Sequence, residues 1–249
     1  MRELVIGDMH FGVKSNSVEW LKKQCELLNT QVTKIIKEGN IDRIVFLGDV
    51  FDVRYSINQQ VASEVKECIR NLALLCASKN MYIVFVAGNH DFWLERNDQE
   101  AHKLFSSSSK VVYLKNESYS HISTVDTKVY ELFGSPYCHI FGNWPFMREP
   151  KELKNKFKAI PEDVDLLITH DAPYGTSDVC LEGWSADGEH KGCPELRDAI
   201  IEKQPRYCVH GHLHSVSHNG ELLDSTVVYN TSMLNERYAI TYQPLILEI

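Results

Sequence analysis

The sequence predicts an α/β fold, and three observations carry that prediction. Apolar runs of strand length alternate with amphipathic runs of helical period; most of the apolar runs stop at a glycine or a polar residue; and those polar residues are acids, amides and imidazoles. Strand, helix, strand, helix, strand in succession implies parallel pairing through right-handed crossovers. Open sheets of that kind place their chemistry at the carboxyl ends of the strands. With 249 residues and 43% apolar content the chain can bury one full core, so residues 1–249 are read as a single domain.

Leu4, Val5 and Ile6 form the first apolar run, which ends at Gly7 and delivers Asp8, Met9 and His10. In an extended segment alternate side chains share a face, so Asp8 and His10 can address one metal ion. Leu21, Leu28, Val32, Ile35 and Ile36 recur at helical spacing and predict one helix over 18–37, with Gly39 as its C-cap. A buried strand over 44–47 then leads to Gly48, Asp49 and Asp52, repeating the layout of strand, glycine and acid. Val65, Ile69, Leu72 and Leu75 give a second packing helix over 61–79, in which Cys68 and Cys76 are small core residues. The strand over 82–87 ends in Gly88, Asn89, His90 and Asp91, the stretch the other motifs are organised around.

After a serine-rich loop over 105–110, strands are predicted at 111–114 and 128–133. Between residues 134 and 146, Tyr137, Phe141, Trp144 and Phe146 crowd a loop that either covers a core edge or walls a pocket. The strand over 165–169 ends in His170, and the long loop over 176–192 carries Trp184, Asp187 and His190, a length that points to function or disorder. Pro194 suits the first turn of a helix over 194–203. His212 and His214 follow the next strand, and His-x-His in an extended stretch puts two imidazoles on one side. Closing strands are read over 227–230 and 238–249; between them Asn230 and Ser232 either touch the site or cap a turn, and the turn is preferred.

A formal charge of -8 without a clustered basic face argues against a protein that wraps long nucleic acid. The basic run of Arg148, Lys151, Lys154, Lys156 and Lys158 is broken by Glu149 and Glu152 and reads as a solvated helix face. Seven cysteines without paired spacing fit a reducing compartment rather than a disulfide framework. No apolar stretch is long enough to span a bilayer and no leader precedes the first strand, so a cytoplasmic location with no membrane partner is expected.

Asp8, His10, Asp49, Asn89, His170, His212 and His214 together offer donors for two metal ions. One site would take Asp8, His10 and His214, the other Asn89, His170 and His212, with Asp49 bridging. Mixed imidazole and carboxylate donors suit Mn, Fe or Zn rather than Ca or Mg, and manganese is the ion expected to serve in vitro. Only Asp8 and Asp49 bring negative charge, so two divalent cations leave a surplus of about two positive charges, matched to an anionic substrate such as a phosphate ester. His90 is then free to protonate the leaving oxygen or hold a phosphoryl oxygen, with Asp91 or another acid orienting its ring.

The series Asp8-x-His10, Gly48-Asp49-x-x-Asp52, Gly88-Asn89-His90-Asp91, His170 and Gly211-His212-x-His214 resembles, in order and content, the calcineurin-like metallophosphoesterase superfamily across nearly the whole chain. The resemblance implies a four-layer αββα sandwich of two mixed sheets flanked by helices, with a dinuclear centre on the seven ligands named above. A closer likeness, to the metallophosphoesterase domain-containing subgroup, rests on four further matches. These are Gly134-Ser135-Pro136-Tyr137 with Trp144 and Phe146, Thr169-His170 followed by Pro173 and Gly175, Gly192-Cys193-x-x-Leu196, and Asn230-x-Ser232. Members of that subgroup act on phosphodiesters, cyclic nucleotides among them. The likeness therefore implies a phosphodiesterase for a small nucleotide-like diester, acting through a metal-bridging hydroxide. It also tips the aromatic loop towards a substrate wall of Tyr137, Trp144 and Phe146, joined by Trp184.

The sequence departs from the subgroup pattern at Cys138 and His139 and at Asp171 and Ala172, none of them a ligand position. The six other histidines, His102, His121, His139, His190, His210 and His218, are read as solvated or structural, with His139 and His190 the two candidates to stand behind the ligands. A phosphomonoesterase, including a protein phosphatase, is the alternative; it calls for extra cationic help with a dianion, and no arginine sits in the strand-end motifs. A nuclease would call for a basic surface. A non-catalytic scaffold could shed ligands or the proton donor, and here His90 and all seven ligand positions are kept.

Overall fold

The computed structural model describes residues 1–52, 57–123, 127–162, 164–183 and 187–249. Four strands, β1 (Arg2–Gly7), β2 (Arg43–Leu47), β3 (Tyr82–Val86) and β4 (Val111–Tyr113), are parallel neighbours. A second sheet holds β5 (Glu117–Ile122), β6 (Val129–Ser135), β7 (Leu166–Thr169), β8 (Tyr207–His210), β9 (Glu221–Leu223) and β10 (Thr226–Asn230), and β11 (Leu245–Glu248) returns to pair antiparallel with β1. The orders are β11-β1-β2-β3-β4 and β5-β6-β7-β8-β10-β9, with antiparallel partners only at the edges, so both sheets are mixed as expected.

Side-chain alternation divides the core into layers. Val5, Val45, Leu47, Val84 and Val86 of the first sheet meet Leu132, Leu166, Ile168 and Val209 of the second in a cluster built almost wholly from strands. Their neighbours Leu4, Ile6, Ile44, Phe46 and Phe85 face the other way, onto Leu21, Leu28, Val65 and Leu72 of the helices. Burying such a side chain is worth roughly 1.5–3 kcal/mol, and a slip of one residue would turn each to the wrong layer. Register is therefore fixed by packing on both faces. That fixed register holds the strand ends level.

Three differences from the sequence reading have identifiable causes. The helix expected over 18–37 is interrupted by a wider π turn at Leu27–Val32, between α-helical Val18–Glu26 and Thr33–Glu38. Thr33 Oγ1 donates to Leu28 O at 3.0 Å and Thr30 Oγ1 to Glu26 O at 2.6 Å, hydroxyl bonds that hydropathy does not register. The edge strands β5 and β9 lie outside the sequence-predicted elements, because neither carries a run of buried residues to mark it. The last strand is shorter than expected, and residues before it form a loop whose Tyr238 turns back to the strand ends. All seven cysteines are free and buried, and no helix among the described residues is long and apolar enough to cross a membrane.

Candidate metal centre

The expected ligands stand at the carboxyl ends of five parallel strands. Asp8 and His10 follow β1, Asp49 follows β2, Asn89 follows β3, His170 follows β7, and His212 and His214 follow β8. Asp8, His10, Asp49 and His212 have left-handed φ of 50°, 45°, 46° and 68°. Non-glycine residues pay roughly 1–2 kcal/mol for that conformation, so strain is concentrated where the donors converge. Gly88 and Gly211 permit the approach. A Cβ on Gly88 would overlap the Asp49 carboxylate and sit 2.6 Å from His170 Cε1; one on Gly211 would overlap the Asp8 carboxylate.

Two donor groups share one oxygen. Asp49 Oδ2 lies 3.5 Å from His10 Nε2 and 3.4 Å from His170 Nε2. On the first side His214 Nε2 faces His10 Nε2 at 3.2 Å, and Asp8, His10 and His214 bring their donor atoms within 4.8 Å of one another. On the second side Asn89 Oδ1 is 2.8 Å from His170 Nε2, and Asp8, Asp49 and His170 form another such group. His212 stands outside these groups: its ring centroid is 5.2 Å from that of His170, while its backbone N–H donates to Asp8 at 3.1 Å.

Neighbours fix these donors, and some of them differ from the sequence reading. Asp91 does not orient His90. Its Oδ2 accepts from Gly88 N at 2.8 Å and Asp49 N at 3.0 Å, tying two motif loops together. The His90 ring is instead set by Asp52, whose backbone oxygen lies 2.9 Å from Nδ1, and the His90 N–H donates to Asp49 Oδ1 at 2.7 Å. Ser232, preferred as a turn residue, donates through Oγ to Asp8 Oδ2 at 2.7 Å. Asn230 does both jobs: Oδ1 accepts from Ser232 N at 2.9 Å, and Nδ2 donates to Leu213 O between the paired histidines at 2.7 Å. His210, first of the three clustered histidines, is fully buried and serves the core.

A cavity of about 700 Å³ opens over the donors. Trp144 lies beside His90 with ring centroids 4.5 Å apart, and Phe141 beside His212 at 4.7 Å. Tyr137 and Phe146, expected on a substrate wall, are 5% and 0% exposed and belong to the core, because this loop does both jobs open to it. Phe141 and Tyr238 take wall positions instead; Tyr238 sets its ring edge-on to His10 and His214, at 5.3 and 5.4 Å. Trp184 lies outside the described residues. His139 and His190 both line the cavity, each with Nδ1 against a buried carboxylate, Asp171 at 2.8 Å and Asp178 at 2.7 Å. Two departures from the subgroup pattern, His139 and Asp171, thus meet in space.

Burial pushes His212 down to about 3 and His214 down to about 4, so both imidazoles are neutral at ordinary pH. Burial also pulls on His170, but Asp49, by charge and hydrogen bond, outweighs it and raises that imidazole to about 9. His10 is raised in the same way, by Asp52, Asp49 and Asp8 against burial. Asp8 and Asp49 are 0% and 1% exposed, and among the described residues neither has a lysine or arginine ion-pair partner. Two buried carboxylates among imidazoles, with paired Nε2 atoms 3.2 Å apart, fit divalent transition ions. Holding an ion must displace the proton from His170. Apparent metal affinity is therefore expected to rise with pH, by up to about tenfold per unit for each proton released, and to level off near pH 9. Calorimetric titration with manganese from pH 6.5 to 9 tests this; an affinity flat across that range would contradict it.

Two mixed sheets flanked by helices, with imidazole and carboxylate donors gathered at the strand ends, define the class. A family model described as calcineurin-like phosphoesterase matches residues 1–216, and the chain belongs to that family of metal-dependent phosphoester hydrolases. Among curated relatives, a UPF0046 protein of Caenorhabditis elegans is 26% identical over 203 residues, covering 75% of this chain and 68% of the relative. Metallophosphoesterase domain-containing protein 1 of Homo sapiens is 29% identical over 188 residues, covering 68% of this chain. The alignment spans only 55% of that human protein's own length. A solved structure, the protein TT1561 of Thermus thermophilus, shares the fold at a TM-score of 0.58 and 13% identity, covering 93% of this chain and 88% of that one.

Proposed function

We propose that this protein is a dinuclear metal-dependent phosphodiesterase acting on a small nucleotide-like diester, working as one domain over residues 1–249 in the cytoplasm. The observation that carries the diester reading is the pair of aromatic flanks: Trp144 on the His90 side and Phe141 on the His212 side of one donor cluster. A phosphorus atom over that cluster has an apolar surface on each side, one for each organic substituent of a diester. Among the described residues no arginine lines the cavity.

Asp8, His10, His214 and Asp49 would hold one ion, and Asp49, Asn89, His170 and His212 the other. When bound, such a pair supplies Lewis acidity and lowers the pKa of a water for attack on phosphorus. The chain supplies the rest. With the Nδ1–H of His90 donating to the Asp52 carbonyl, Nε2 is the ring nitrogen left to take a proton and pass it to the leaving oxygen. Trp144 beside that ring packs against the leaving group and excludes water.

The test is turnover of bis-p-nitrophenyl phosphate against p-nitrophenyl phosphate by manganese-reconstituted protein. The diester is expected to be the better substrate, and Trp144→Ala to lower diester turnover more than monoester turnover. Faster monoester cleavage by the wild type would put the phosphomonoesterase reading first.

A further inference from the structure

The Phe141 flank of the cavity carries a histidine. Beside Trp144, among the described residues, stand the rings of His90 and Phe92. Beyond Phe141 stands His139, with ring centroids 5.7 Å apart. Both the backbone N–H and Nδ1 of His139 are given to one oxygen of Asp171, Oδ2, at 2.9 and 2.8 Å. Asp171 is fully buried, its other oxygen has no partner, and His139 is its only ion-pair partner among the described residues.

We propose that His139, held by Asp171, binds a second phosphate group, carried by the substrate substituent that lies over Phe141. The proposal rests on the diesterase reading and narrows it to diesters with a charged arm.

A pair kept for stability alone would be buried at both ends, and apolar residues of similar volume would serve as well. Here only the carboxylate is buried. The imidazole side chain is 25% exposed and lines the cavity, and among the described residues Nε2 is its one ring nitrogen without a partner. Fixing Nδ1 fixes the ring plane and the direction of Nε2, the use to which histidine–carboxylate pairs are put beside metal centres. Burial works against a proton on His139, but the bond to Asp171 and its charge outweigh it and raise the imidazole, making Nε2 a cationic donor. Three acids of the same cavity besides Asp49 are engaged elsewhere. Asp187 and Glu189 are turned to Lys191 at 2.6 and 3.4 Å, and Glu236 accepts from Ser215 at 3.2 Å. A phosphate presents several oxygens to one directed N–H, so charge and geometry are both met.

Two substrates with the same scissile bond separate this proposal from the diesterase reading: the p-nitrophenyl ester of thymidine 5′-phosphate, with and without a 3′-phosphate. Manganese-loaded wild type is expected to show a KM about tenfold lower for the 3′-phosphorylated ester, and His139→Gln to bring the two KM values within about twofold. His139→Arg should restore the preference. Calorimetry with thymidine 3′,5′-bisphosphate against thymidine 5′-phosphate reads the same preference without turnover. Cleavage of both esters with equal KM, or a preference that survives His139→Gln, overturns the phosphate site and leaves the diesterase reading standing. Cleavage of neither ester, with His139-dependent selection of the bisphosphate, removes the diesterase reading and supports the phosphate site.

Discussion

Asp49→Asn is expected to empty both metal positions and abolish turnover, because one carboxylate oxygen stands between the two donor groups. Oδ2 is 3.5 Å from His10 Nε2 and 3.4 Å from His170 Nε2, so a neutral amide there weakens both ions at once. Loss of an outer-shell partner costs roughly 10–100-fold in metal affinity, and a shared ligand should cost more. The substitution is mild for the fold, since Asn can still accept the His90 N–H that Asp49 Oδ1 takes at 2.7 Å. His90→Ala provides the contrast: metal content stays at the wild-type level while turnover falls by about 10²–10⁴-fold, the usual worth of a positioned acid or base. Elemental analysis of both purified variants, with circular dichroism to confirm folding, decides the matter. Equal metal loss in the two would contradict this division of roles.

How far such a centre can be read from sequence depends on the range of the signal. The strand-end placement of Asp8, Asp49, Asn89 and His170 was legible because each follows a strand whose apolar run announces it, and parallel strands deliver their ends to one edge. The side chains that steady those donors were harder to place. Ser232 reaches Asp8 across 224 positions, and nothing in Asn230-x-Ser232 distinguishes that contact from a local turn, which it also makes. Asp91 sits beside His90 in sequence yet bonds backbone N–H groups, because left-handed Asp49 turns its own N–H towards that carboxylate. Composition marked the aromatic loop as important but not which rings turn inward: Tyr137 and Phe146 went to the core, Phe141 and Trp144 to the cavity. Periodicity failed most clearly at the π turn, where the core positions Leu28, Val32 and Ile36 keep an i, i+4 spacing through a backbone that does not.

The largest stability effect is expected at the other end of the same strands. Glu3 and Arg43 are register partners on β1 and β2, both 0% exposed, on the face that Val5 and Val45 turn to the second sheet. Arg43 Nε meets both carboxylate oxygens at 3.0 Å, while its Nη1 has no partner. Burial raises Glu3 above its ordinary range in spite of Arg43, so even the intact pair costs some of what it returns. Arg43→Met leaves the acid alone and is expected to destabilise the protein by about 3–5 kcal/mol, whereas adding Glu3→Leu should recover most of that loss. The sign of the pH dependence follows from the same burial. A carboxyl raised in the folded state is protonated in both states below its unfolded pKa, and its penalty appears only as pH climbs above that value. Without Arg43 the folded pKa rises further, so the destabilisation of the single variant should be small near pH 4.5 and grow towards pH 8. Urea unfolding of the three proteins at both pH values measures it. A double variant as unstable as Arg43→Met alone, or a loss independent of pH, would mean that the pair is held in place by packing around the arginine stem rather than by its charge.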